Sequence, residues 1–254
     1  MSVKLTIDGA IAEIALDNPP LNLMVKAVLR GLSDACGAIA RNAAVRCVIL
    51  HRGEANVFCA GSDIKELPQL GKDASEEKIL LEDMMLRRLA RLPMPTIAAI
   101  EGHALGGGLE LALACDLRVV RRGFRIGLPE NRLGGLAGSG SVRITRLIGP
   151  SRAKELLFTG EPIDADTALA WGLVNRVVDG PALEAAREMA AKIAARAPLS
   201  NRLAKELVDA SQDLPLDASL SLSTVSQQKV FDSADMKSGV EAFFAKRDAE
   251  FSGR

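Results

Sequence analysis

The chain has 254 residues, 48% of them hydrophobic, which is enough for one large core or a core with an appendage. Lys+Arg and Asp+Glu number 32 each, so no net charge attracts nucleic acid or an anionic membrane. The four cysteines match no CxxC spacing, and the N-terminus lacks the basic-then-apolar pattern of a signal peptide. The apolar stretches are too short to span a bilayer. We therefore expect a cytoplasmic protein with free thiols and with no nucleic-acid or membrane partner.

The first half of the chain alternates strand and helix patterns. Two short runs, Val3–Ile7 and Ile11–Leu16, flank Asp8-Gly9-Ala10 and predict a β-hairpin. Runs rich in Val and Ile predict buried strands, and apolar residues at helical spacing predict helices. These elements are the strands Val45–His51 and Thr96–Glu101 and the helices Val25–Arg41 and Ile79–Leu92. The order β-β-α-β-α-β-α predicts an α/β domain.

The second half is predicted to be mainly helical, because strand patterns become sparse after about Ser139. The predicted helices are Ser139–Ile148, Ser151–Phe158, Asp164–Trp171, Pro181–Ala197, Leu199–Asp209 and Leu216–Phe231. Pro198 and the polar stretch from Ser211 to Pro215 are the expected joints. Many apolar positions remain on the last helices, so we expect them to pack on a partner subunit or back on the core.

Two glutamates stand in apolar or glycine-rich surroundings. Glu110 lies in a helical pattern that is otherwise apolar, and Glu130 follows Gly127-Leu128-Pro129. A buried, ionised carboxylate is expensive unless it is paired or takes part in chemistry, so the two residues suggest acid/base catalysis. The alternative is a structural ion pair for each glutamate, with Arg118, Arg125 or Arg132 as the nearby candidates.

Three glycine-containing segments accompany the glutamates. In Phe58–Glu66, Ala60-Gly61-Ser62 predicts a sharp turn with free N–H groups; a capped strand-to-helix turn is the alternative. In Gly102–Glu110, three glycines open a helix, where N–H groups can face an anion or allow close packing. Gly134–Ser141 has no strand pattern before it and fits no dinucleotide fingerprint, so we interpret it as a pocket wall or a helix start.

The same segments carry a family resemblance. Phe58–Glu66 resembles F-x-A-G-A-D-[IL]-K-E, His103–Glu110 resembles A-L-G-G-G-x-E, and Leu128–Gly134 resembles P-E-x-x-L-G. These are motifs of the crotonase superfamily, best known from enoyl-CoA hydratase. Further similarities extend over essentially the whole chain, at Asp17–Asn22, Leu147–Gly160, Ala168–Val178 and Phe243–Arg254.

The resemblance implies a fold and an activity. The fold would be an α/β, crotonase-type β-β-α spiral core over residues 1–197, followed by a helical trimerisation segment over residues 198–254. The protein would be a homotrimer or a dimer of trimers. Its activity would be the reversible hydration of a 2-trans-enoyl-CoA to a 3-hydroxyacyl-CoA through an enolate. Coenzyme A would be part of the substrate, and no metal or other cofactor would be needed.

The resemblance also implies roles for individual residues. The backbone N–H groups of Ser62 and Gly107 would form an oxyanion hole for the thioester oxygen. Glu110 would mainly activate water, and Glu130 would mainly transfer the α-proton. Coenzyme A would contact Ala60, Asp63 and Ile64, and the acyl pocket would include Leu136, Ser139 and Ser141.

The chain departs from the family pattern at two places. Ser62 replaces the usual alanine of the oxyanion turn, and Leu136–Val142 replaces I-P-G-x-G-G-T. The extra hydroxyl groups suggest a polar or branched acyl chain. The alternatives are an enoyl-CoA isomerase that uses Glu130 alone, a carnitinyl-CoA type dehydratase, or a catalytically silent acyl-CoA-binding protein; a dinucleotide-dependent oxidoreductase is more remote.

Overall fold

The computed structural model describes residues 2–254, apart from the side chains at positions 67, 75 and 77. The strands are β1 Val3–Asp8, β2 Ile11–Leu16, β3 Cys47–His51, β4 Thr96–Ile100, β5 Ala104–Leu105, β6 Leu117–Arg121, β7 Arg125–Gly127, β8 Ile163–Asp164 and β9 Arg176–Val178. The α-helices are α1 Lys26–Ala40, α2 Leu67–Leu70, α3 Leu80–Ala90, α4 Gly107–Leu113, α5 Gly138–Ile148, α6 Pro150–Thr159, α7 Ala165–Ala170, α8 Ala182–Ala194, α9 Pro198–Ser211, α10 Leu216–Phe231 and α11 Ala234–Phe244. Short 3-10 helices cover Gly71–Asp73 and Glu130–Leu133, and a π-helix covers Ser75–Ile79.

The strands form two sheets. The larger sheet has the order β1-β2-β3-β4-β6-β9, in which β1 and β2 are antiparallel and all other neighbours are parallel. Its register pairs Ile14 with Leu50 and Leu50 with Ala98, and all three side chains are buried. The smaller sheet has the order β5-β7-β8. Parallel strands need crossover connections, and the helices between them supply these.

The central strands β3 and β4 of the larger sheet are covered on both faces, as their nearly continuous apolar sequences require. One face belongs to the main core, to which α1 contributes residues at helical spacing, among them Val28, Leu32 and Ile39. The other face packs against α8 through Ala182, Ala186 and Ala190. These alanines repeat every four residues along one side of α8, so the helix can approach the sheet closely.

Local sequence signals explain several helix starts. The Asp164 carboxylate accepts the Thr167 N–H at the start of α7, and the Ser233 hydroxyl accepts the Met236 N–H at the start of α11. Pro150 occupies the first position of α6, where a missing N–H is no disadvantage. Within the described residues, no helix is long and apolar enough to cross a membrane.

The hairpin, the strands β3 and β4 and the predicted helices are confirmed within a few residues at their ends. Strands β6 and β7 were not predicted, because arginines interrupt their apolar patterns, and β8 and β9 are too short to produce a pattern. Helix α11 was also missed. The expectation that no strand precedes Gly134–Ser141 is wrong, since β7 lies just upstream and is followed by the 3-10 helix. The interpretation of Gly134–Ser141 as a helix start is confirmed, because α5 begins at Gly138.

Candidate active site

The three predicted site segments meet at one edge of the larger sheet. The first two follow β3 and β4, and the third follows β6 by way of β7. Because β3, β4 and β6 are adjacent parallel strands, their carboxyl ends lie together. Backbone hydrogen bonds join the segments beyond the strand ends. The Leu105 N–H donates to the Cys59 carbonyl at 3.1 Å, and the Gly106 N–H donates to the Gly127 carbonyl at 2.9 Å. The chain topology therefore creates the site.

The turn Ala60-Gly61-Ser62 is held in a conformation that requires glycine at its centre. Gly61 has φ +95°, and a Cβ there would lie 2.9 Å from the Leu105 carbonyl oxygen. On the opposite side, the Met24 N–H donates to the Gly61 carbonyl at 2.9 Å. The turn is therefore fixed from both sides.

Asn22 stabilises the loop that leads into this turn. Its side chain is fully buried, and its amide nitrogen donates to the carbonyls of Arg52, Val57 and Phe58 at 2.9, 3.3 and 3.1 Å. Its carbonyl oxygen accepts the Asn18 N–H at 3.0 Å. A single amide thus satisfies several buried backbone groups that have no strand partner.

The N–H groups of Ser62 and Gly107 border the same small space. A Cβ at position 107 would lie 3.7 Å from the Ser62 nitrogen. Among the described residues, neither of these two N–H groups donates a hydrogen bond to a backbone carbonyl. The next residue, Gly108, packs so closely that a Cβ would lie 2.2 Å from the Cys59 carbonyl oxygen. The glycine segment therefore serves both of the purposes considered for it: Gly108 allows close packing, and the N–H groups of Ser62 and Gly107 are left without backbone acceptors.

Glu110 lies in the first turn of α4, with its carboxylate turned towards the start of α5. Its Oε1 accepts the Gly140 N–H at 2.6 Å. Burial raises the pKa of Glu110 to about 7, against the effect of this hydrogen bond. The charges of Glu130 and Glu82 raise the pKa further, whereas Arg143 lowers it. A carboxyl group with such a pKa can exchange protons near neutral pH.

Glu130 begins the 3-10 helix that follows β7. Its Oε2 is completely enclosed and has no hydrogen-bond partner among the described residues. Its Oε1 faces α4, because a Cβ at position 106 would lie 2.9 Å from it. Burial raises the pKa of this carboxyl group as well. An enclosed carboxylate oxygen without a partner is unusual, which makes Glu130 a candidate functional group.

The ion-pair alternative for the two glutamates is wrong in the described part of the chain. Arg118 donates to backbone carbonyls, including that of Cys115 at 2.7 Å. Arg125 donates to the Pro162 carbonyl at 3.4 Å. Arg132 pairs with Glu161. Within the described residues, none of the three arginines forms an ion pair with Glu110 or Glu130.

The predicted coenzyme A residues lie on and just after the turn. The Ala60 N–H donates to the Leu21 carbonyl at 3.0 Å, and the Asp63 carboxylate accepts the Lys65 N–H at 3.0 Å. Ile64 is exposed. Their contacts with coenzyme A remain predictions.

The predicted acyl-pocket residues lie near the start of α5, next to the Gly140 N–H that binds Glu110. Leu136 is exposed. The Ser139 hydroxyl accepts the Arg143 Nε–H at 3.0 Å, whereas the Ser141 hydroxyl donates to the Ala137 carbonyl of its own helix start. Their contacts with an acyl chain also remain predictions.

Three further residues of the site were not anticipated. Gly140 lies in the segment that we interpret from the sequence as a pocket wall or a helix start, and its hydrogen bond to Glu110 spans 30 residues of sequence. Glu82 on α3 and Arg143 on α5 looked like ordinary charged residues of helix surfaces. No local pattern could identify them, since their proximity to Glu110 depends on how α3, α4 and α5 pack.

One histidine and two cysteines near the site make packing or structural contacts and are not activated for chemistry. The His103 Nδ1 accepts the Arg125 N–H at 3.0 Å, and its ring packs edge-on against Phe124. Burial raises the pKa of Cys59 and Cys115 to about 12, so both thiols stay protonated at neutral pH. In the described residues, no three His, Cys, Asp or Glu side chains form a group that could hold a metal ion.

Comparison with known proteins identifies the family. The sequence model for enoyl-CoA hydratase/isomerase matches residues 6–254. A probable enoyl-CoA hydratase of Bacillus subtilis is 37% identical over 99% of both chains. A short-chain-enoyl-CoA hydratase of Clostridium acetobutylicum is 35% identical over 98% of this chain and 97% of that protein. The crystal structure of an enoyl-CoA hydratase from Bacillus anthracis superimposes with a TM-score of 0.95, at 34% identity and over 100% of both chains. The chain therefore has the crotonase fold and belongs to the enoyl-CoA hydratase/isomerase family of the crotonase superfamily.

Proposed function

We propose that the protein catalyses the reversible hydration of a 2-trans-enoyl-CoA to a 3-hydroxyacyl-CoA. The observation that carries this proposal is an arrangement within the described residues: two buried carboxyl groups without ion pairs lie close to two backbone N–H groups without backbone acceptors. Hydration needs one group that removes a proton from water and one that supplies a proton to the α-carbon. It also needs donors for the thioester oxygen, on which negative charge develops.

The thioester oxygen would accept hydrogen bonds from the N–H groups of Ser62 and Gly107. Negative charge increases on this oxygen as the enolate forms, so preorganised donors stabilise the transition state more than the ground state. The fixed conformation of Gly61 keeps the Ser62 donor in place. Removing one donor of this kind costs about 10²–10³-fold in rate in other enzymes.

Glu110 would act as the base towards water. As the water oxygen bonds to the β-carbon, Glu110 takes its proton, and the electrons of the carbon–carbon double bond move to form the enolate. The elevated pKa of Glu110, about 7, suits a base that must return its proton in the reverse reaction.

Glu130 would complete the addition by giving a proton to the α-carbon. The enolate then collapses to the 3-hydroxyacyl thioester, and Glu130 is left ionised. Burial raises the pKa of Glu130 and so favours the protonated form that this step requires. The proton held by Glu110 passes to Glu130 by way of solvent or the bound water, which restores the starting state.

The substrate would bind across the turn and the start of α5. We assign the contacts with coenzyme A to Ala60, Asp63 and Ile64, and the acyl pocket to Leu136, Ser139 and Ser141. The proposed steps use only this chain's carboxyl groups and backbone donors, with no metal or redox cofactor. The two hydratases of Bacillus subtilis and Clostridium acetobutylicum support hydration as the reaction, because their names specify it.

The test uses purified protein with short, medium and branched 2-trans-enoyl-CoA substrates. Loss of the conjugated thioester absorbance gives the rate, and mass spectrometry identifies the product. We expect a product heavier by one water, and a decrease in kcat of at least about 10²-fold in both Glu110→Gln and Glu130→Gln. The exposed Glu184→Gln is the matched control and should retain the wild-type rate.

An unchanged substrate mass with every enoyl-CoA would refute hydration. If a 3-enoyl-CoA were instead converted to a 2-enoyl-CoA, with Glu110→Gln active and Glu130→Gln inactive, the reaction would be isomerisation. Binding of acyl-CoA without turnover would indicate a silent member of the family.

A further inference from the structure

Ser62 forms a side-chain contact that the family pattern, with alanine at this position, cannot form. Its hydroxyl donates to Glu82 Oε1 at 3.3 Å. The same carboxylate oxygen accepts from Lys78 Nζ at 2.9 Å. Ser62, Glu82 and Lys78 therefore form a continuous polar chain, which connects the turn at residues 60–62 to the π-helix and to the first turn of α3.

This chain is shielded from solvent. The side chain of Lys78 is 9% exposed and that of Glu82 is 18% exposed. Two charged groups removed from water repay their desolvation only with good geometry and additional hydrogen bonds. The Ser62 hydroxyl supplies one such bond. A hydrophobic pair would be the simpler way to pack α3 here, so the retained charges call for a role.

The negative charge of Glu82 acts on the proposed catalytic centre. It raises the pKa of Glu110, and it also raises the pKa of Cys59, which directly precedes the turn. The other charged groups that act on Glu110 are Glu130 from the 3-10 helix and Arg143 from α5. Glu82 is thus the contribution of α3 to the electrostatics of the site.

We propose that Glu82, held by Lys78 and by the Ser62 hydroxyl, is a positioning residue of the active site that ties the oxyanion turn to α3 and holds a negative charge beside that turn. The inference rests on the proposed hydration. Glu82 acts through Glu110 and Ser62 and takes no part in bond formation itself. Lys78 has two effects, since it fixes the Glu82 carboxylate and partly neutralises its charge.

Activity should be lost at low pH as Glu110 becomes protonated, which gives the plot of kcat/KM against pH an acid limb. Removing the charge of Glu82 and removing that of Lys78 should move this acid limb in opposite directions. Glu82→Gln removes a negative charge next to Glu110, so the limb should move about 0.3–1 pH unit lower. Lys78→Met leaves the charge of Glu82 uncompensated, so the limb should move higher by a similar amount, about 0.3–1 unit. Lys78→Arg keeps the positive charge and should restore the wild-type position.

Ser62→Ala tests the hydrogen bond between Ser62 and Glu82 separately from the charge of Glu82. It removes the hydroxyl, preserves the backbone N–H and leaves every charge unchanged. We expect kcat to fall about 3–10-fold because the oxyanion turn is held less firmly, while the acid limb stays in place. The matched controls are Glu184→Gln and Lys192→Met on the exposed side of α8, which should leave kcat and the profile unchanged.

The experiment is a pH–rate series with the enoyl-CoA that the wild type hydrates fastest. A wild type that hydrates none would refute the proposed function before the inference is tested. With an active wild type, an unmoved limb in both Glu82→Gln and Lys78→Met, or shifts in the same direction, would overturn the electrostatic role. If Glu82→Gln or Lys78→Met fails to fold, Ser62→Ala tests the proposal instead. A wild-type kcat in Ser62→Ala would refute the positioning role of the Ser62–Glu82 hydrogen bond.

Discussion

Burial without an ion pair distinguishes Glu110 and Glu130 from other acidic residues near the sheet edge. Glu101, which follows β4, is also shielded, yet it accepts from Arg121 at 2.9 Å. Glu110 has only the Gly140 N–H, and Glu130 Oε2 has no partner in the described part of the chain. Such carboxyl groups favour the protonated form in the folded protein, which makes them both reactive and destabilising once ionised.

The pKa of Glu110 predicts a dependence of stability on pH. Because the folded-state pKa is raised from 4.5 to about 7, its favourable contribution is complete below pH 4.5 and is lost as the pH rises through about 7. The shift corresponds to about 3 kcal/mol. Glu110→Gln keeps an acceptor for the Gly140 N–H but cannot ionise. The free energy of unfolding of this variant, relative to that of the wild type, should therefore be about 3 kcal/mol higher at pH 8 than at pH 4.5.

Urea unfolding at both pH values and at one fixed protein concentration measures this difference. The exposed Glu184→Gln serves as the control and should show no such trend. A constant difference between wild type and Glu110→Gln across the range would show that Glu110 titrates normally in the folded protein.

At the scale of the elements, the site depends on connections that leave adjacent strands. The segment after β3 contains no regular structure until α2, yet it must place the Ser62 N–H beside Gly107. Asn22 supplies the missing order through its three bonds to backbone carbonyls, and the Met24 N–H fixes Gly61 from the same segment. The stretch between β2 and α1 is therefore part of the support for the site.

Removing the Asn22 side chain should harm both stability and catalysis. Asn22→Ala leaves buried carbonyls without donors, for which we expect a loss of about 2–4 kcal/mol in the free energy of unfolding. The turn at residues 60–62 should loosen, and kcat should fall about tenfold or more. Denaturant unfolding and hydration assays on the same preparation test both effects.

The matched control is Asn42→Ala, because among the described residues the Asn42 side chain only accepts the Ala44 N–H, in an exposed turn. It should cost about 1 kcal/mol or less and leave kcat unchanged. Equal effects of the two substitutions would contradict the special role of Asn22.

At the scale of the whole molecule, the C-terminal helices carry more exposed apolar surface than a solitary chain requires. Phe243 and Phe244 in α11 are 78% and 79% exposed, and Leu216 and Phe231 in α10 are also exposed. Several exposed large apolar side chains in one segment favour contact with another subunit. We propose that the segment over residues 198–254 mediates assembly into a trimer or a dimer of trimers.

Light scattering after size-exclusion chromatography tests this assembly. The mass should be about 81 or about 161 kDa, three or six times the 26.9 kDa chain. Phe243→Asp combined with Phe244→Asp should lower the mass, because the charges would be buried in the interface. The control adds the same charges to exposed positions at the end of α8, as Ala191→Asp within the helix and Ala195→Asp directly after it. A monomeric wild type would refute the assembly.

The amino-acid sequence determined most of the elements and the identity of the family. Hydrophobic periodicity predicted the hairpin, β3, β4 and most of the helices, because it reflects which side of each element is buried. Their apolar or glycine-rich surroundings pointed to Glu110 and Glu130, and the resemblance to family motifs pointed to Ser62 and Gly107. These are local properties, which a sequence records directly.

Only the tertiary structure decided the environment of those residues. The Gly140 N–H reaches Glu110 across 30 residues of sequence, and Glu82 reaches Ser62 across 20. The candidate arginines, which proximity in sequence made plausible partners, bind elsewhere. Such contacts arise because parallel strands end at one edge of the sheet and the following helices pack there. Residue types and spacing therefore specified the candidate groups for the proposed reaction, whereas long-range packing determined their burial, their partners and their proton affinity.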